Sequence, residues 1–414
     1  MAIAPMTERE KAEGWLLVLG PPVVPPDAPP ASRPWMAEPI LGLSVLLRLA
    51  LTAQAAGASG IAFSTAAALR PLRDLLADAR LRIPVTEEAD RPSIVEFRMA
   101  TPSVRVPANT VIHRATLSAL KERADEGEVD VSFSGAPRGA AGPFGFEPHF
   151  VYDAASARAA ERALLRSLRK PQDGWASTHI NRRISLFLTR GLVSTGLTPN
   201  QVSVAILAIG LLGAWFASLG THAAMLLGAA LFQAQSVLDG CDGEMSRLTF
   251  RGSIKGEWLD TIGDDLTNYA FFAGAAWGLF GATGRPLYLA LGAVLVASGV
   301  VGSGLEYRYL VRIGSGDLLK YPLGIGKAPG SDGGAPKSGL ARALDAISPL
   351  FKRDTFVLLT LVGAALGWLG PFLALASFGA VGVLSAVVRA EIRMSKERAL
   401  ARRSAQVDPV LPRD

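Results

Sequence analysis

Four aspartates define the chemistry open to this chain. They lie in D-G-C-D-G-E-M-S-R (239 to 247) and G-E-W-L-D-T-I-G-D (256 to 264), with Asp239 and Asp242 three apart and Asp260 and Asp264 four apart. On helices each pair projects from one face. An apolar run precedes the first pair and another follows the second, which puts four carboxylates at or just inside a membrane boundary. Bare acids that close repel one another and lose hydration at a cost of several kcal/mol, unless a cation sits among them. All-oxygen ligands suit Mg²⁺ or Mn²⁺, and Mg²⁺ characteristically shares protein carboxylates with water and substrate phosphate. Gly243 and Gly256 clear space for a ligand or a neighbouring helix, and Arg247 offers a planar fork suited to phosphate. The set reads as a site for a phosphate-bearing substrate.

These residues resemble the signature of the CDP-alcohol phosphotransferase family of integral membrane enzymes: D, two residues, D-G, two residues, A-R, a spacer, G, three residues, D, three residues, D. Asp239, Asp242, Gly243, Arg247, Gly256, Asp260 and Asp264 all fit, with 248 to 255 as the spacer, and Ser246 stands where Ala is usual. The resemblance implies transfer of a phosphoalcohol group from a CDP-linked donor, such as CDP-diacylglycerol, to an acceptor alcohol with release of CMP. It implies two Mg²⁺ ions, with Mn²⁺ as a substitute, held by Asp239, Asp242, Asp260 and Asp264. Asp264 matches the family's general base, and Asp239, Gly243, Arg247 and Gly256 match the CDP contacts. It further implies a homodimer. Asp265 points about 100° away on a helix and stays outside the set.

The elements that must position these residues follow from composition. The chain has 414 residues, half of them hydrophobic, and a formal charge of +6, so a membrane domain joined to a soluble one is expected. Basic residues flank apolar runs, which favours a membrane surface over nucleic acid. Cys241 is the lone cysteine, which excludes an intrachain disulfide and a thiolate metal site. The N-terminus lacks a signal-peptide pattern, so the soluble part is expected to stay in the cytoplasm.

The spacing predicts an α/β domain over 1 to 155, a helical connector over 156 to 177, an interfacial amphipathic helix over 178 to 198, an all-α polytopic membrane domain over 199 to 398, and a disordered tail from 399 to 414. The membrane domain is assigned six transmembrane helices near 201 to 220, 222 to 238, 261 to 282, 286 to 305, 355 to 369 and 371 to 390. Lys and Arg collect in alternate loops, which directs both termini and the aspartates to the cytoplasmic side of the inner membrane.

The layout resembles bifunctional proteins that join an inositol-phosphate cytidylyltransferase to a di-myo-inositol-phosphate-phosphate synthase. Such a nucleotidyltransferase-like domain begins with a Gly-rich basic loop after its first strand. Here that loop is G-P-P-V-V-P-P (20 to 26), whose prolines lack donors for phosphate, and the reading is a degenerate scaffold. Arg182, Arg183, Lys352 and Arg353 are candidates for the acceptor's phosphate, inositol phosphate being one such acceptor, with membrane anchoring as the alternative. CDP-diacylglycerol-dependent phosphatidyl transfer and CDP-inositol-dependent synthesis both remain open. So do a non-catalytic cation-binding membrane scaffold and a transporter with an acidic cation path.

Overall fold

The computed structural model describes residues 15–25, 34–63, 74–87, 102–124, 129–131, 146–169, 176–323 and 353–407. The chain divides into two compact units. The first takes Met1–Lys170, Arg190–Gly196 and Met245–Arg251; the second takes Pro171–Thr189, Leu197–Glu244 and Gly252–Asp414.

In the first unit, W-L-L-V-L-G forms strand β1 (Trp15–Gly20), buried at every position, as a central strand covered on both faces requires. A short hairpin, β2 (Pro39–Ile40) and β3 (Leu43–Ser44), leads into helix α1 (Val45–Ala55), where the Ser44 side chain accepts from the Leu47 N–H at 3.3 Å. Then come β4 (Ala58–Phe63), β5 (Val85–Glu87), β6 (Ser103–Pro107), β7 (Thr110–Val111), helix α2 (Arg114–Ala124), β8 (Val129–Asp130), β9 (His149–Phe150) and helix α3 (Ala154–Ser167). The main sheet is parallel in the order β5-β4-β1-β6-β8. Trp15, Leu17, Leu19, Leu46, Leu49, Ile61 and Val104 form its core.

That order is doubly wound, and its topological switch lies between β1 and β6, where such sheets take ligands beyond their carboxyl ends. Here the chain itself occupies the spot. Asn109, buried, accepts from the Val23 N–H at 3.0 Å and donates to the Val23 and Val151 carbonyls at 2.8 and 3.1 Å. His113 accepts from the Ala115 N–H at the start of α2; burial, with Arg114 beside it, holds its imidazole below the usual value.

The second unit is helical. After a π-helical turn (Ser177–Asn181) come α4 (Arg182–Leu192), α5 (Pro199–Ser218), α6 (His222–Thr249), α7 (Ile254–Thr283), α8 (Leu287–Ile313), α9 (Arg353–Ala365) and α10 (Leu369–Val407), the ends of α4 and α6 belonging to the first unit. T-P-N starts α5 as a capping box: Thr198 and Gln201 bond reciprocally and Pro199 takes the first turn. Small residues let the helices approach, as membrane helices favour. A β-carbon on Gly228 of α6 would lie 2.6 Å from the Gly213 carbonyl oxygen of α5.

Among the described residues, four helical stretches are long and apolar enough to cross a membrane: Pro199–Ser218, His222–Thr249, Leu287–Ile313 and Leu369–Leu400. Six were expected. Helix α7 has the length, but Glu257, Asp260, Asp264 and Asp265 make its first half polar, and α9 has only 13 residues. A disordered tail was expected from 399 to 414; the chain is helical as far as Val407, because K-E-R-A-L-A-R-R is rich in good helix formers, and 408 to 414 lie outside the described residues.

Candidate metal and phosphate centre

Asp239 on α6 and Asp260 and Asp264 on α7 converge, each offering a carboxylate oxygen within 4.8 Å of the others. Gly210 on α5 permits this approach: a β-carbon there would lie 2.9 Å from Cβ of Thr267 on α7 and 3.2 Å from Cγ of Gln235 on α6. With Ser203, Gln235 and Asp242 the three aspartates line one narrow cleft.

The acids are held by neighbours. Arg353, the first residue of α9, donates through Nη1 to Asp264 Oδ2 at 2.5 Å and to Asp239 Oδ2 at 3.5 Å, and through Nη2 to Gln235 Oε1 at 3.2 Å. Gln235 in turn donates to Asp264 Oδ1 at 3.3 Å. Asp242, buried, accepts from Ser203 Oγ at 2.5 Å and from the Gly243 N–H at 2.5 Å. Its carboxylate therefore lines the same cleft without joining the tight trio. Three acids face one guanidinium there, and an all-oxygen donor set of this charge fits a hard divalent cation.

The remaining candidates are distributed as follows. Gly243 is half-buried beside Asp242, and Arg247 lies exposed one turn further along α6. Gly256 sits under the start of α5, where a β-carbon would lie 2.9 Å from Asn200 Oδ1, and its N–H caps onto Ser253 Oγ at 3.0 Å. Arg183 is exposed. Arg182 is buried and donates to Glu244 Oε1 at 2.7 Å, which turns it from the expected phosphate contact to an internal ion pair. Lys352 lies outside the described residues. Asp265 accepts instead from Ser303 Oγ at 2.5 Å and Tyr307 Oη at 2.6 Å, on the α8 side. Cys241 is buried, with its sulfur 3.6 Å from the Ser185 carbonyl.

Sequence reading missed Gln235, Ser203 and Glu244. Gln235 was accessible in principle, since it stands four residues before Asp239 and shares its helix face. Ser203 and Glu244 are placed by contacts distant in sequence, which no local spacing reveals.

A carboxylate-lined cleft between helices, two of them long and apolar enough to cross a membrane, is an arrangement suited to a cation or a phosphate at a helix interface. Residues 196–317 match the family model described as CDP-alcohol phosphatidyltransferase. Similar chains include proteins named bifunctional IPC transferase and DIPP synthase. That of Archaeoglobus fulgidus is 35% identical over 117 residues, covering 28% of this chain and 23% of the relative. Thermococcus kodakarensis has one 38% identical over 115 residues, covering 28% and 26%. The Rubrobacter xylanophilus protein is 38% identical over 157 residues, covering 38% and 34%. The chain thus spans about a quarter to a third of these relatives' length. Among solved structures, the phosphatidylinositol phosphate synthase of Mycobacterium tuberculosis with CDP-DAG bound is 19% identical, with a TM-score of 0.37, covering 50% of this chain and 93% of that one.

Proposed function

We propose that this chain is an integral membrane CDP-alcohol phosphotransferase, which moves a phosphoalcohol group from a CDP-linked donor to an acceptor hydroxyl and releases CMP. The observation that carries this is the convergence of Asp239, Asp260 and Asp264 in a cleft shared with Asp242, inside the segment that matches the family model. Asp239, Asp242, Asp260 and Asp264 would hold Mg²⁺ or Mn²⁺. Such ions draw charge from a diphosphate and steady the leaving phosphate.

Asp264 receives the acceptor's proton as the hydroxyl oxygen attacks phosphorus and the P–O bond to CMP breaks. Its carboxylate suits this because the hydroxyl acidifies as attack proceeds, so geometry outweighs resting basicity. Gln235 and Arg353 hold that carboxylate from two sides. Arg353 also keeps Nη1 and Nη2 at the cleft, where a guanidinium fork binds phosphate well. Gly243, Arg247 and Gly256 are assigned to the CDP moiety. Helices α7 and α9 complete a six-helix membrane domain with its acids at the cytoplasmic face.

One donor is CDP-diacylglycerol, in phospholipid synthesis. A second reading, CDP-inositol with an inositol-phosphate acceptor, is supported by the names of the relatives. Release of radiolabelled CMP from membranes is expected with one of these donors in the parent and at background in Asp264→Asn. Equal release from both would remove the assignment of Asp264.

A further inference from the structure

Helix α7 carries two stripes of residues spaced four apart and one residue out of step. Gly256, Asp260 and Asp264 form the stripe that belongs to the cleft; Glu257, Thr261, Asp265 and Tyr269 form the other, turned by about 100°. Each member of the second stripe bonds to α8 or to the residues just after it. Asp265 accepts from Ser303 Oγ at 2.5 Å and from Tyr307 Oη at 2.6 Å. Tyr269 shares a hydrogen bond with the same Ser303 hydroxyl at 2.7 Å. Thr261 Oγ1 donates to Gly316 O at 2.7 Å, and Glu257 accepts from Ser315 Oγ at 3.2 Å and from the Gly316 N–H at 3.1 Å. Gly316 permits this approach, since a β-carbon there would lie 2.7 Å from the Trp258 nitrogen. All of these residues belong to the second compact unit, as do Asp239, Asp260 and Asp264.

The bonds gather at two points along α7. Glu257 and Thr261 flank Asp260 and meet Ser315 and Gly316; Asp265 and Tyr269 follow Asp264 and meet Ser303 and Tyr307. A carboxylate at this depth is costly unless its oxygens find donors, so Asp265 has a strong preference for the face where two hydroxyls wait. Any rotation of α7 that takes Asp265 from those hydroxyls turns Asp264 by the same angle, because both sit on one rigid helix. A second attachment at Gly316 O adds control of the height along the axis, which bonds at one level could not supply.

We propose that Thr261, Asp265, Ser303 and Tyr307 are positioning residues for Asp260 and Asp264, with α8 and the residues after it setting the rotation and height of α7. This rests on the reading of Asp260 and Asp264 as cation ligands. It gives Asp265, which adjoins the acidic motif and lies outside the cleft, a task that needs no contact with the ion.

The test uses the full-length protein in lipid nanodiscs, with Mn²⁺ alone as the probe and electron paramagnetic resonance as the readout. Tyr307→Phe keeps the ring and removes one donor to Asp265, and it is expected to weaken Mn²⁺ binding by about tenfold, the worth of one hydrogen bond to a carboxylate. Thr261→Val acts at the other attachment and is expected to weaken binding too, so the proposal does not depend on one variant folding. Asp265→Asn, whose amide oxygen still accepts, is expected to keep most of the affinity that Asp265→Ala loses; equal loss in both would mean that the ion feels the charge of Asp265, and would overturn the positioning role. Ser377→Ala removes a 2.9 Å bond from α10 to Leu291 O on α8 and is expected to lower the unfolding temperature with Mn²⁺ affinity unchanged. Parent-like affinity in Tyr307→Phe and Thr261→Val, or an equal loss in Ser377→Ala, overturns the proposal. Should the parent bind no Mn²⁺, the cation reading itself fails, and the placement of α7 is judged alone. Spin labels at Val204→Cys on α5 and Ile262→Cys on α7, both exposed while Cys241 is buried, then report the distance between the helices. A shifted or broadened distance in Tyr307→Phe upholds the positioning role, and a parent-like one overturns it.

Discussion

Glu244, fully buried, gathers three side-chain donors from one face of α4: Arg182 Nη1 at 2.7 Å, Ser185 Oγ at 2.8 Å and Thr189 Oγ1 at 2.7 Å. The spacing of those donors, three and then four residues, is that of a helix stripe. Arg182 and Arg183 looked equivalent as phosphate contacts, and a single 100° step separates them: one is turned to a buried acid, the other to the surface. Removing one partner of a buried pair leaves an uncompensated charge, at a cost of roughly 3–5 kcal/mol. Glu244→Ala is accordingly expected to lower the unfolding temperature of the purified protein sharply, and Glu244→Leu combined with Arg182→Leu to recover much of the loss. Parent-like unfolding of Glu244→Ala would show that the pair contributes nothing.

At the scale of elements, α4 buries its polar stripe and exposes Ile184 and Phe187, an arrangement suited to a helix lying in a lipid interface. The amphipathic pattern was legible in sequence, but which face turns inward was not, because that depends on Glu244, 62 residues after Arg182. The span count shows a similar limit. Helix α7 exists where periodicity placed it, yet its acids keep it below the apolarity of an unaided span, and neighbours rather than composition must cover them. Loop charge predicts that Arg251 and its neighbours face the cytoplasm and Thr221 the opposite side. Since Cys241 is buried, single cysteines report this cleanly. A membrane-impermeant maleimide added to intact cells is expected to label Thr221→Cys and to reach Arg251→Cys only after lysis; the reverse pattern would invert the topology.

Across the whole molecule, the acidic motif was the most legible part, because cation chemistry constrains both residue type and spacing. Of its four acids, Asp239, Asp260 and Asp264 form the tight trio, while Asp242 lines the cleft against Ser203. The α/β unit was legible in class, from short apolar runs alternating with helical stretches. The pairing order β5-β4-β1-β6-β8 and the bonds of Asn109 across the switch point were not, since parallel strands are joined by contacts far apart in sequence. Lys352 lies outside the described residues, whereas Arg353, its neighbour, stands at the acids.

The central claim is that these acids hold a divalent cation on which CMP release depends. The direct measurement is Mn²⁺ binding, followed by paramagnetic resonance in chelator-stripped membranes, alongside CMP release as the metal is restored. The account predicts saturable binding in the parent, return of CMP release in parallel with occupancy, and loss of both in Asp260→Asn. Full CMP release in the stripped sample, or Mn²⁺ binding untouched by Asp260→Asn, would contradict it.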